Sequence, residues 1–261
     1  MKERGLGFVV IAAIVIIAAF LFFPRKAGKV ETLPEPPPVP TQPAQAAPQE
    51  PAIKFPLTES PAPVGETLLP ALGESDQAAR ADLATVIGAD AVSKFVAAED
   101  VIRRIVSTVD NLPREKLALR LWPILPTAGK FIVIEHDGKS ESSPENYARY
   151  QPLLTVVAAV DSRRAAAFYQ HFYPLFQQAY RDLGYPSGYF NDRLVEVIDH
   201  LLAAPEVTSP IELVHPSVYY KYADPDLEKL SAGQKVLIRI GPEHGKLVKA
   251  KLAEFRAQIA G

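Results

Sequence analysis

The residues best suited to chemistry lie close together between positions 185 and 202, in the sequence YPSGYFNDRLVEVIDHLL. Two carboxylates and an imidazole recur every fourth residue, which aligns Asp192, Glu196 and His200 along one helix face. Such groups act as general acids and bases when a cleft shifts their pKa values. Tyr185 and Tyr189 add ring faces and hydroxyl groups that suit sugars or peptides. These five residues form the candidate binding surface.

The same stretch is also explained by the construction of one amphipathic helix. A projection at about 100° per residue puts the apolar side chains on one side and the polar stripe on the other. Asn191 stands where an N-cap belongs, and Phe190 and Val195 are spaced as a hydrophobic staple. Glu196 pairs with Arg193 as an ordinary neighbour on a helix surface. On this interpretation the stripe becomes a site only if another part of the protein covers it.

Motifs give no catalytic, cofactor-binding or metal-binding residue. The chain has no cysteine, which excludes disulfides, thiolate nucleophiles and cysteine-ligated zinc. GKS at 138–140 lacks the first glycine of a phosphate-binding loop, and GYPSG at 184–188 has its serine one place too late for a nucleophile elbow. The histidines are too scattered to be zinc ligands on one helix: His136, His171, His200, His215 and His244.

Charge and tyrosine content narrow the class of partner. A net charge of −2 gives no electrostatic footprint for nucleic acid. All ten tyrosines lie between Tyr147 and Tyr222. They either line a groove for a glycan or peptide, or fill the core of a helical domain with their hydroxyl groups at its edge.

Periodicity in residues 71–261 predicts a mostly α-helical globular domain with a small β-hairpin, an α+β arrangement. Helices are predicted at 75–88 (capped by Ser75), 98–112, 113–122, 144–160, 161–184 and 242–259. Residues 130–142 predict a hairpin that turns at Asp137–Gly138. Residues 211–222 are typical of extended chain, and 235–241 fit either a strand or a helix.

A membrane anchor and a tether are predicted ahead of this domain. After a short flank at 1–5, residues 6–23 contain no polar side chain, and as a helix they would span roughly 27 Å, close to a hydrocarbon core of about 30 Å. Residues 24–70 hold 13 of the 25 prolines and little apolar surface, which predicts a disordered, polyproline-biased linker.

The anchor prediction has one alternative, a cleaved signal peptide, but the sequence after Phe23 lacks the small residues of a cleavage site. Basic residues flank both ends of 6–23, so the charge distribution hardly sets the orientation. The short N-terminal flank and the large domain that follows favour an N-in anchor. We therefore expect a single-pass membrane protein with its domain outside the cytoplasm.

Several longer segments carry a family resemblance. They are LPALGESD (69–76), TVDNLPREK (108–116), ENYARY (145–150), GYFNDRLVEVIDHLL (188–202) and YADPDLEKLSAGQKVLIRIGPE (222–243). Together they resemble the bacterial envelope family known as domain of unknown function 3014, over essentially all of 69–261. The resemblance implies a single-pass membrane protein, since the anchor and proline-rich linker also fit that family's layout. It implies no activity, cofactor or catalytic residue.

Two functional hypotheses remain open at this level. The first is a non-enzymatic interaction module, tethered to the membrane, that binds an envelope protein or peptidoglycan. The second is an envelope enzyme acting on cell-wall glycan or peptide, with Asp192, Glu196 or His200 as acid or base. The anchor, the linker and the missing catalytic signatures favour the first hypothesis.

Overall fold

The computed structural model describes residues 52–57, 69–116, 121–127, 129–208, 210–216 and 219–260. Within these ranges the helices are α1 (Asp76–Ile87), α2 (Ala89–Phe95), α3 (Val101–Asn111), α4 (Gln151–Ala159), α5 (Ser162–Asp182), α6 (Phe190–Leu202), α7 (Pro225–Lys229), α8 (Ala232–Arg239) and α9 (Pro242–Ile259). The strands are β1 (Val133–His136), β2 (Lys139–Ser142), β3 (Glu212–Val214) and β4 (Lys221–Tyr222), and short 3-10 helices span Leu72–Glu74 and Pro144–Tyr150. The predicted fold class, mostly helical with a small β element, is confirmed.

Helix α5 is the longest described helix and packs against both α3 and α9. The Asp161 carboxylate begins it by accepting hydrogen bonds from the backbone N–H groups of Arg163 and Arg164, at 2.8 and 3.1 Å. Gly184, with φ of 113°, follows its end. The predicted helix at 161–184 is therefore confirmed. Its buried face includes Phe168, Phe172, Phe176 and Ala179.

Helix α6 carries the apolar face that the sequence predicts, and it packs against α9, α3 and α8. Its core residues are each 2% exposed or less: Phe190, Leu194, Val195, Val197, Ile198 and Leu201. Burial of one such side chain stabilises the fold by about 1.5–3 kcal/mol relative to its exposed state. This packing fixes α6 and leaves its polar stripe on the outer side.

Helices α1, α2 and α3 pack together at the start of the domain. The Asp76 carboxylate accepts hydrogen bonds from the backbone N–H groups of Asp100 and Val101, each at 2.8 Å, so that α1 holds the start of α3. The predicted capping role of Ser75 is wrong. Its hydroxyl donates to the carbonyl of Leu72 at 2.8 Å, because Ser75 follows a 3-10 turn and already has helical backbone angles.

The four strands form one antiparallel sheet in the order β1-β2-β3-β4. The predicted hairpin joins β1 to β2, and its turn residues Asp137 and Gly138 both have positive φ, 49° and 74°. Residues 211–222 supply β3 and β4, as the extended pattern predicts. The inner face of the sheet packs on α8 in a small cluster of its own, formed by Ile211, Leu213, Tyr222 and Ile238.

Several predicted elements differ in detail. The predicted helix 113–122 is wrong over residues 113–116, which form turns and bends, whereas 117–120 lie outside the described residues. The predicted helix 144–160 changes from 3-10 to α-helix at Gln151, and Pro152 falls in the first turn of α4, where its missing N–H costs nothing. Residues 235–239 belong to helix α8, since a capping box at Ser231 and Gln234 begins a helix there.

The region before the domain is described only in part. Residues 1–51 and 58–68, and with them the predicted anchor at 6–23 and most of the predicted linker, lie outside the described residues. Among the described residues, no helix has the length and apolar composition needed to span a membrane. Residues 52–57, which belong to the predicted linker, contact the domain through Phe55 and Leu57. We call residues 52–57 the docked segment.

Candidate functional site

Helix α5 positions the start of α6 through Gln177. The Gln177 amide donates to the carbonyl of Gly188 at 2.7 Å, and its oxygen accepts the backbone N–H of Phe190 at 2.8 Å. The first N–H of α6 is therefore bound by a side chain of another helix. Gly188 leaves no room for a side chain, because an added Cβ would lie 2.7 Å from the ring of Tyr180. The loop before α6 is thus held rigidly against α5.

Asn191 is a fully buried hydrogen-bonding residue in the first turn of α6. Its predicted role as N-cap is wrong, because the helix begins at Phe190 and Tyr189 occupies the N-cap position. The Asn191 oxygen accepts from the Tyr169 hydroxyl at 3.1 Å, and its amide donates to the carbonyl of Ile259 at 2.8 Å. The same amide donates to the carbonyl of Phe55 at 2.8 Å. Asn191 therefore joins α5, α6, α9 and the docked segment.

Asp192 binds the docked segment through its main chain. The two carboxylate oxygens of Asp192 accept the backbone N–H groups of Lys54 and Phe55, at 2.9 and 2.8 Å. A carboxylate in the first turn of a helix is favoured by the helix dipole, and it is a strong acceptor for backbone donors. Both oxygens are engaged by the segment in this arrangement.

Tyr189 supplies the third contact to the main chain of the docked segment. Its hydroxyl accepts the backbone N–H of Leu57 at 3.1 Å. Its ring lies against that of Tyr173, with 5.6 Å between the ring centroids. Burial raises the pKa of the Tyr173 hydroxyl, and its contact with Tyr189 raises it further, so Tyr173 stays neutral here. The tyrosine pair therefore presents a fixed hydroxyl group to the segment.

Side chains of the docked segment add two further contacts. The Lys54 ammonium lies 3.3 Å from a carboxylate oxygen of Glu196, with both side chains at least half exposed. The guanidinium of Arg256 lies 5.9 Å from the centroid of the Phe55 ring, and the pair is oriented as a cation–π contact. Arg256 is held in place by a two-point ion pair with Asp199, at 2.5 and 2.9 Å. We call Tyr189, Asn191, Asp192 and Glu196 the α6 site.

Tyr185 takes part in a different network. Its ring stacks on Tyr180 with 4.5 Å between centroids, and its hydroxyl donates to the carboxylate of Asp110 at 3.2 Å. Asp110 is buried and also binds the guanidinium groups of Arg114 and Arg193, at 2.5 and 3.2 Å. Burial raises the pKa of Tyr180 to about 12. This charged cluster ties α3 to α6.

His200 contacts the following helix. Its Nε2 lies 2.8 Å from the Ser231 hydroxyl, which also accepts the backbone N–H of Gln234 at 3.2 Å as the N-cap of α8. The Gln234 amide donates back to the carbonyl of His200 at 3.1 Å. Burial lowers the pKa of His200, and the nearby charge of Arg193 lowers it further. The imidazole and hydroxyl thus form part of the α6–α8 junction.

The structure therefore divides the five predicted residues. Tyr189, Asp192 and Glu196 meet at the docked segment, whereas the hydrogen bonds of Tyr185 and His200 lead to α3 and α8. Sequence reasoning missed Asn191 as a binding residue, and it missed Arg256 and the segment itself. One signal was present, since Phe55 is the only aromatic residue between positions 24 and 94.

The geometry of the α6 site is suited to binding a short, bent peptide segment that is neither helix nor strand. Three of its side chains bind main-chain groups of the segment, and the fourth binds a side chain. Among the described residues there is no group of three or more histidine, aspartate or glutamate side chains that could hold a metal ion. A small cavity beneath the site is lined by apolar and aromatic side chains: Ile105, Val109, Tyr169, Phe176, Phe190, Leu194 and Phe255.

One known protein family matches the region of the chain that contains the α6 site. A family model described as "Protein of unknown function (DUF3014)" matches residues 101–256. The chain belongs to this family. The matched DUF3014 region runs from α3 into α9 and contains the whole α6 site, whereas the docked segment and Asp76 lie before it. Comparison with curated proteins gave no match, and comparison with solved structures gave none either.

Proposed function

We propose that this DUF3014 protein is a non-enzymatic interaction module of the bacterial envelope that binds a short, bent segment of a partner protein at its α6 site. The observation that carries the proposal is the docked segment, whose backbone is held by Asp192, Tyr189 and Asn191. Main-chain hydrogen bonds provide affinity in peptide recognition, and side-chain contacts add specificity.

The proposal includes a membrane tether. The apolar length of residues 6–23 supports an anchor that spans the inner membrane once, and the proline-rich sequence that follows supports a spacer. The domain then lies outside the cytoplasm and binds its partner within the envelope.

Site-specific photo-crosslinking in living cells tests the binding function. A photoreactive residue replaces Glu196, whose side chain is half exposed beside the docked segment, and a matched control replaces the exposed Lys229 on α7. We expect a discrete adduct with an envelope protein from position 196, absent from position 229 and lost when Asp192→Ala is added. Equal adducts from both positions, or adducts that persist with Asp192→Ala, would overturn the proposal.

A second experiment tests the tether. Ile14→Arg places a charge at the centre of the apolar segment, which costs about 2.5–3.5 kcal/mol on insertion scales. We expect the wild-type chain to stay with membranes during alkaline extraction and the variant to be released. A phosphatase fused after Gly261 should be active, because it would lie outside the cytoplasm. If instead the phosphatase fusion is inactive and a reporter that works only in the cytoplasm is active, the proposed orientation is wrong.

A further inference from the structure

The backbone hydrogen bonds of the docked segment match the position of its proline. The α6 site binds the N–H groups of Lys54, Phe55 and Leu57, and it skips the residue between the last two. That residue is Pro56, which has no N–H to offer. Proline also restricts Phe55, the residue before it, to extended backbone conformations. The proline therefore stands between two bound N–H groups, at a position where the site uses no N–H.

The side chains around the proline meet surfaces of different character. Lys54 faces the carboxylate of Glu196, and Phe55 contacts the Arg256 guanidinium and the edge of the hydrophobic core. Leu57 is half-buried against the same core. The basic, aromatic and aliphatic residues are thus each matched to a feature of the domain, and the exposed Pro56 stands between the last two.

We propose that the α6 site selects partner segments with the order basic–aromatic–proline–aliphatic, and that the docked segment is a resident competitor that such a partner displaces. This inference rests on the proposed function, because it names the partner's chemistry and the regulation of the same site. The resident and the partner offer the same groups to the α6 site, so only one of them binds at a time.

Exposure makes the docked segment exchangeable. Lys54 and Pro56 are exposed, and the Lys54–Glu196 pair is a surface ion pair of the kind that contributes little to stability. A ligand within the same chain competes at an effective concentration on the order of millimolar. A resident whose intrinsic dissociation constant is about tenfold below that concentration weakens the apparent affinity of an external peptide about tenfold.

Binding of two labelled peptides to the full chain in detergent tests the inference by fluorescence anisotropy. The first peptide, PAIKFPLT, copies residues 51–58. The second, PAIPFKLT, exchanges the lysine and the proline, so that composition and charge are unchanged but one of the two N–H groups bound by Asp192 is lost. Each peptide is titrated against the wild-type chain, Phe55→Ala and Ile53→Ala. Ile53 is 53% exposed, so it serves as the matched control within the segment.

We expect PAIKFPLT to bind Phe55→Ala about tenfold more tightly than wild type, because the weakened resident no longer competes. Ile53→Ala should behave as wild type, and PAIPFKLT should bind every chain weakly. Leu57→Ala, which removes a half-buried side chain from the segment, provides a second weakened resident, and adding Asp192→Ala to Phe55→Ala should abolish binding.

Two results would overturn this inference and leave the proposed function intact. Equal affinity of PAIKFPLT for wild type and both weakened chains shows that the resident does not compete. Equal binding of the two peptides shows that the order of residues is not selected. In either case a partner can still crosslink at position 196, whereas the loss of that crosslink removes the proposed function itself.

Discussion

Two aspartates in this protein make the same pair of hydrogen bonds in different surroundings. Asp76, in the first turn of α1, accepts the backbone N–H groups of Asp100 and Val101, each at 2.8 Å. Asp192, in the first turn of α6, accepts those of Lys54 and Phe55, at 2.9 and 2.8 Å. In each case one carboxylate binds two consecutive donors of a segment distant in sequence.

The difference lies in what each pair of donors belongs to. Val101 begins α3, is fully buried, and has no acceptor within its own helix, so Asp76 supplies a cap that the fold requires. Lys54 is exposed and Phe55 is half-buried, and the docked segment forms no helix or strand. The same hydrogen bonds therefore build the domain at Asp76, whereas at Asp192 they hold an element that we propose to be exchangeable.

The largest expected effect is a loss in the free energy of unfolding when Asn191, rather than its neighbour Asp192, is replaced. Asn191→Ala leaves the Tyr169 hydroxyl and the Ile259 carbonyl without their partner in the core, so we expect a loss of about 3 kcal/mol in the free energy of unfolding. Urea denaturation followed by circular dichroism measures it. Asn111→Ala is the control, because the Asn111 side chain donates to the carbonyl of Ser107 within its own helix. A loss no larger than that of the control contradicts the role given to Asn191.

The next effect concerns Asp76, whose carboxylate holds the start of α3. Asp76→Ala removes both hydrogen bonds at the start of α3, and the loss of a helix cap costs about 1–2 kcal/mol. We expect this decrease in the free energy of unfolding, with the docked segment still in place. Denaturation and limited trypsin digestion of the same sample measure the two quantities. Faster trypsin cleavage after Lys54 in this variant would mean that the contacts of Asp76 and of Asp192 are coupled.

The matched variant at Asp192 should show the opposite pattern, with little loss of stability but faster cleavage of the docked segment. Asp192→Ala removes two hydrogen bonds from a partly exposed segment, so the free energy of global unfolding should fall by less than about 1 kcal/mol. The Lys54–Phe55 peptide bond should become much more accessible to trypsin under native conditions. If instead this variant loses as much stability as Asp76→Ala and its cleavage rate is unchanged, the contrast between the two aspartates is wrong.

The smallest effect concerns the opposite end of α6. Because burial lowers the pKa of His200 in the folded protein below its ordinary value of 6.5, the unfolded chain binds more protons as the pH falls past 6.5. The contribution of His200 to stability is therefore present above pH 6.5 and is lost as the pH falls through its folded pKa. His200→Gln should show less loss of stability between pH 7.5 and pH 5 than wild type. The same pH dependence in both proteins would assign it to other groups.

Much of the fold could be predicted from local patterns. The face of α3, the bounds of α5 and α9 and the Asp137–Gly138 turn follow from apolar spacing and from turn residues that act within a few positions. Predictions of caps were less successful, because a cap depends on where the helix begins. Asn191 lies two residues past the N-cap position, whereas Ser75 occupies that position without capping through its side chain, and both side chains have other partners.

The candidate site could be predicted only in part. The spacing of Asp192 and Glu196 placed them on one outer face, and Tyr189 preceded them at the helix start. Nothing in the local pattern assigned Tyr185 and His200 elsewhere, since their partners Asp110 and Ser231 lie on other helices. The contact between Phe55 and Arg256 joins residues that are far apart in the sequence, and local patterns carry no information about such pairs.

The sequence by itself determined the helical class, the outward position of the polar stripe on α6 and the apolar segment at 6–23, because periodicity and composition act locally. Only the tertiary structure decided what covers that stripe. Pairing of Asp192 with the backbone of Lys54 and Phe55 spans more than 130 residues and depends on the packing of α5, α6 and α9. The part of the stripe at Asp192 and Glu196 therefore contacts the docked segment, and the part at His200 lies at a helix junction.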